Sequence, residues 1–140
     1  MDVHIGGYKM KLPKKLEDYL NWEFGSGVKT TRDFKKFALL FLNHIRKNLP
    51  KGAKLDKYSI GHYFIWGFIK RKNNYVYFFV NDVRYYKNDW YNKILLKPAL
   101  NTEEIGSECY YCNLKEFKHL VNTLLNRGVH ENHINPKNNK

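Results

Sequence analysis

The chain has 140 residues, of which 43% are hydrophobic and 16% aromatic, enough for one domain whose core needs neither metal nor disulfide. That composition excludes a disordered chain, and no apolar run approaches the roughly 18 residues of a membrane span. Twenty-five Lys and Arg against 13 Asp and Glu leave a net charge of +12, which attracts polyanions: nucleic acid, an acidic or nucleic-acid-bound protein, or anionic lipid.

The opening stretch MDVHIGGYKMKLPKK has no signal-peptide apolar segment. Two cysteines without a secretion signal read as reduced thiols, so a cytoplasmic setting is expected, with no membrane partner and no small-molecule cofactor. Pro13 opens a short helical stretch, PKKLEDYLNWEF, with Leu16, Tyr19, Leu20 and Phe24 on one side, and Gly25-Ser26-Gly27 ends it.

The next stretch is the strongest helix signal. Thr30 with Asp33 reads as a capping start, Phe34, Phe37, Ala38, Phe41, Ile45 and Leu49 recur at helical spacing, and Pro50 stops the run. Arg32, Lys35, Lys36, Arg46 and Lys47 fall on the opposite arc, and Lys51, Lys54 and Lys57 extend it. Residues 29–57 hold nine basic and two acidic groups, seven of the twelve net charges. Leu39 falls inside the basic arc, where it reads either as an apolar anchor for a partner or as a residue packed under another element.

The period then changes to two. Residues 58–86 read as a β-hairpin, with the turn at Asn73-Asn74 and Arg71 opposite Val76. One face would carry His62, Phe64, Trp66, Phe68, Tyr77, Phe79 and Tyr85. The other would carry Tyr63, Ile65, Ile69, Val76, Phe78 and Val80, with Gly61 and Gly67 leaving room for close packing. Lys70, Arg71 and Lys72 sit beside these aromatics and join the candidate binding residues, since exposed rings stack on unpaired bases and cations neutralise phosphates. Residues 87–89 are a turn, WYNKILLKPAL a third strand ended by Pro98, CYYC a short strand, and NLKEFKHLVNTLLN a final helix with Gly128 past its end. The expected fold is a single α+β domain over 1–128: N-terminal helices, a three- or four-stranded antiparallel sheet, and a C-terminal helix. A polar tail follows at 129–140.

Cys109, Cys112, His130 and His133 supply the residue types of a tetrahedral zinc site, with C-x2-C and H-x2-H pairs separated by seventeen residues. The common finger has about twelve residues there and carries both histidines on a helix, whereas His130 lies beyond Gly128. Two thiols flanking a strand and two histidines in a tail account for the same residues. HENHINPKNN resembles the central strand of HNH endonucleases, which would imply metal-assisted hydrolysis, but the helix carrying a further ligand has no room before Lys140. Other catalytic patterns are missing, and Glu103, Glu104 and Glu108 read as solvating a loop.

Trp90, Ile94, Leu95, Lys97, Ala99, Gly106, Leu114 and Phe117 carry a further likeness. Residues 89–125 resemble a segment of small uncharacterised proteins of phages and plasmids. The resemblance implies a mobile-element setting, where small proteins often inhibit host defence, as anti-CRISPR proteins do. The reading that follows is a non-enzymatic binding protein that contacts nucleic acid or a nucleoprotein complex through the basic helix. The alternative is a zinc module or metal-dependent nuclease at the C-terminal Cys and His residues. A module whose charge serves only solubility is the third reading.

Overall fold

The computed structural model describes residues 2–5, 8–11, 31–81 and 93–129, with side chains from Phe34 onward. The helix expected over 13–24, the turn at 87–89 and most of the tail lie outside the described residues. The chain is α+β, as expected. Strands β1 (Asp2–Ile5) and β2 (Tyr8–Lys11) pair antiparallel as a small sheet of their own, with Val3 opposite Met10. The main sheet has six strands rather than three or four: β3 (Lys54–Ile60), β4 (Ile65–Arg71), β5 (Asn74–Val80), β6 (Ile94–Asn101), β7 (Glu104–Ile105) and β8 (Tyr110–Cys112). It runs β3-β4-β5-β6-β7, with β8 also pairing β6, all antiparallel.

Helices α1 (Thr31–Lys47) and α2 (Leu114–Arg127) pack on one face of this sheet. The phenylalanine spacing places Phe34, Phe37, Ala38, Phe41 and Ile45 inside, with Leu42 added and Leu49 half-buried. From α2 come Leu114, Phe117, Val121, Leu124 and Leu125, and the Phe117 ring stands edge-on to Phe78 at 6.2 Å. Ile65, Ile69, Val76, Phe78, Val80, Ile94 and Leu96 meet them from the sheet. Gly67 is required here: a Cβ would lie 2.6 Å from the Phe78 ring and 2.9 Å from the Lys57 carbonyl.

Three details correct the sequence reading. The β4–β5 turn is Lys72-Asn73, not Asn73-Asn74, so Arg71 faces Asn74 and Ile69 faces Val76. Each β4 partner moves by two residues. A shift of two keeps every side chain on its face, so the assignment of faces survives the wrong turn. Second, residues 58–72 are not one strand. The chain turns at Gly61–Phe64, with the Gly61 N–H donating to the Phe64 carbonyl at 2.8 Å, and β3 pairs back on β4. Tyr63 takes a positive φ of 71° there, a conformation bulky residues rarely adopt. Third, Pro98 does not end β6. Its carbonyl accepts from the Gly106 N–H at 2.9 Å, on the side away from β5. Its missing N–H would point to that same side, so no ladder bond to β5 is lost.

The α2 start is a full capping box: the Asn113 side chain accepts from the Glu116 N–H at 2.7 Å, and the Glu116 carboxylate accepts from the Asn113 N–H at 3.1 Å.

Candidate nucleic-acid interface

The face of α1 turned away from the sheet carries Lys35, Lys36, Leu39, Asn43, Arg46 and Lys47, all exposed. Leu39 is 49% exposed, so it is not packed under another element. Arg46 lies 5.5 Å from the centre of the Tyr58 ring. The Arg32 side chain lies outside the described residues. The helix ends where the Asn48 amide donates to the His44 carbonyl at 2.8 Å. His44 is half-buried, and burial, reinforced by Lys47, holds its pKa below the usual imidazole value.

A tight turn follows. The Ala53 N–H donates to the Pro50 carbonyl at 3.0 Å, and Gly52 has the φ of +81° that a type II turn needs at its third residue. Lys51 is thereby held at the corner. It faces α2 across an open pocket of about 550 Å³, lined by Pro50, Lys51, Lys115, Lys118, His119 and Asn122. Among the described residues none of this lining is a carboxylate. Lys115, Lys118, His119 and Asn122 follow i, i+3, i+4 and i+7, which puts them on one face of α2. The sequence reading names none of the four as binding residues, although that spacing is visible in NLKEFKHLVN.

Arg71 ties the two walls together. Its guanidinium donates to the Lys51 carbonyl at 3.3 Å, the Asn122 side-chain oxygen at 2.8 Å, the Asn122 carbonyl at 3.4 Å and the Asn126 side-chain oxygen at 2.6 Å. The sequence makes it a candidate binding residue; in the fold its donors are directed inward. All four acceptors are neutral, so its charge is not cancelled and adds to the potential of the pocket.

The opposite face of the sheet is aromatic and separate from this surface. Phe64 stacks on Phe79 at 5.8 Å, Phe79 on Tyr77 at 6.5 Å, and Phe68 leans on Tyr77 at 5.2 Å and meets Trp66 edge-on at 6.1 Å. Phe68 is 2% exposed. Lys57 lies over the Trp66 ring at 5.9 Å and Lys70 over Tyr75 at 5.3 Å. These rings are already committed to one another and to lysine head groups, which weakens them as a platform for bases. Lys54 and Lys72 are exposed at a strand start and a turn. His62 is exposed, and its ring meets Tyr63 edge-on. Tyr85 lies outside the described residues.

The cysteines do not converge. Cys109 is exposed, and its thiol donates to the Ser107 carbonyl at 3.5 Å. Cys112 is buried in the core opposite Ile94, where desolvation, with Glu116 adding, pushes its thiol up to about 12. His130 and His133 lie outside the described residues, and no group of three metal-ligating side chains occurs among the described ones. Of the acidic loop, Glu108 is ion-paired to Arg127 and Glu104 accepts from the Asn101 amide at 3.1 Å.

No described helix is long and apolar enough to cross a membrane. No family model, curated protein or solved structure matches the chain.

Proposed function

We propose that this is a non-enzymatic binding protein that holds nucleic acid, bare or within a nucleoprotein complex, through the outer surface of its helix layer. One observation carries the reading. Segments 34–51 and 114–127 contribute Lys35, Lys36, Arg46, Lys47, Lys51, Lys115 and Lys118 to the surface, and their one carboxylate, Glu116, is engaged in the α2 cap. Lysines and arginines so arranged neutralise successive phosphates and release condensed counterions. A single-stranded ligand stacked on the sheet is less favoured, because the rings there are packed against each other.

The likeness of residues 89–125 to small mobile-element proteins favours one particular form, an inhibitor of a host defence system that contacts the nucleic acid carried by the defence complex. From residue 94 on, that segment supplies β6, β7, β8 and most of α2, hence Lys115 and Lys118.

The test is titration against short duplex and single-stranded oligonucleotides at low and then physiological salt. Affinity is expected to fall steeply with salt. Lys35→Glu/Lys36→Glu should weaken binding to all sequences alike and lower the salt slope by about one for each phosphate that is no longer neutralised. Unchanged binding in that folded variant removes α1 from the interface.

A further inference from the structure

We infer that the pocket between the Pro50–Ala53 turn and α2 is a site for a phosphate monoester. The source is either the phosphorylated end of a nucleic-acid strand or a free nucleotide. The strand-end form rests on the nucleic-acid reading above and names the group that this part of the surface takes.

Three features separate the pocket from the rest of the basic surface. It is concave. The stripe along α1 is a convex ridge suited to a backbone passing over it, whereas a volume of about 550 Å³ lies within the range of small-ligand sites. A phosphodiester inside a strand must enter and leave; a terminal phosphate can be taken from one side by the cations of both walls.

The charge count also fits a monoester. Ammonium groups come from both walls, Lys51 from the turn and Lys118 from α2, with His119 beside them. A monoester carries about −1.5 to −2 charges near neutral pH and offers three acceptor oxygens, where an internal diester carries about one. Lysine is the flexible point-charge donor that phosphate sites use. Asn122 has its side-chain oxygen occupied by Arg71, so its NH2 is what it offers a ligand.

Finally, the walls are set in advance. The Lys51 corner depends on the left-handed φ of Gly52, and Arg71 fastens that corner to Asn122 and Asn126. Ordering two walls around an anion is a cost that most surface lysine clusters meet on binding; here the fold has met it already. Arg71 acts as a positioning residue through these bonds.

The experiment uses the full chain and one oligonucleotide sequence prepared with a 5′-phosphate, a 3′-phosphate or neither, read by fluorescence anisotropy at physiological salt. A nucleoside monophosphate and the matching nucleoside serve as competitors. A phosphorylated end is expected to bind about tenfold more tightly, the worth of roughly one charge-assisted hydrogen bond. Lys51→Ala/Lys118→Ala should erase the preference and Lys118→Arg keep most of it, while Lys35→Glu/Lys36→Glu weakens all three strands and leaves the preference intact. These lysines are exposed, and thermal melting confirms that the variants are folded. Equal affinity for all three strands, with no displacement by the monophosphate, overturns the pocket and leaves the nucleic-acid reading standing. Monophosphate binding that needs Lys51 and Lys118, with no oligonucleotide bound, keeps the pocket and overturns the nucleic-acid reading.

Discussion

The two sides of this domain are both rich in cations, yet they use them differently. On the helix side, Lys35, Lys36, Lys47, Lys51 and Lys118 project from backbones whose apolar faces are spent on the core. On the far side of the sheet, Lys57 and Lys70 lie over Trp66 and Tyr75, and the neighbouring rings pack on each other around a buried Phe68. A lysine on a ring face covers apolar surface with its stem and gains cation–π energy. Basic residues beside aromatics therefore do not by themselves mark a nucleic-acid platform; what the aromatics already touch decides it.

The strongest way to break this comparison is to show that the aromatic face is a contact surface rather than a packed layer. Phe68→Ala should cost about 3–5 kcal/mol in denaturant unfolding, as expected of a buried phenylalanine. A cost under about 0.5 kcal/mol would mean that the layer does not support the fold. The next effect is on binding. Reversing Lys35, Lys36, Arg46 and Lys47 to Glu should lower oligonucleotide affinity by at least about a hundredfold and the salt slope by about four. Trp66→Ala/Tyr77→Ala should leave affinity within about twofold, and the opposite ranking would move the interface to the sheet. Asn113→Ala should cost about 1 kcal/mol by opening the capping box, visible as a lowered melting midpoint. Smallest at neutral pH is the effect of the core thiol. Because its folded pKa is raised, the stability from keeping Cys112 neutral is complete below the ordinary thiol value of 9.0 and is lost as pH climbs toward about 12. At about pH 8, where an ordinary thiol is partly ionised, a thiol reagent should label Cys109 in the folded protein and both cysteines in denaturant. Rapid labelling of Cys112 while folded would contradict its burial.

The helix α1 is legible in sequence because four phenylalanines or isoleucines at helical spacing leave one way to bury them. The two sheet faces are legible because period-two alternation survives an error of two in register. The Gly61–Phe64 turn is not, since it relies on a tyrosine in a left-handed conformation that no residue preference announces. The β1–β2 pairing escapes the sequence reading although Gly6-Gly7 between two alternating stretches is a hairpin signal. Pro98 misleads because a proline is compatible with a strand when its missing donor faces away from the ladder. At the candidate site, the α1 stripe follows from periodicity alone. The pocket does not, because it needs Lys51 and Lys118 brought together from distant parts of the chain by Arg71, whose inward hydrogen bonds leave no trace in composition.

One further consequence concerns β3, which ends the main sheet and pairs with β4 alone among the described residues. An end strand exposes unpaired backbone groups on which a second molecule can grow a sheet. Here that strand carries exposed Lys54, Asp56 and Lys57, and its register slips between Leu55 and Lys57. Charged side chains and a bulge of this kind discourage such stacking, so Lys54, Asp56 and Lys57 work against sheet growth between copies whatever else they contact.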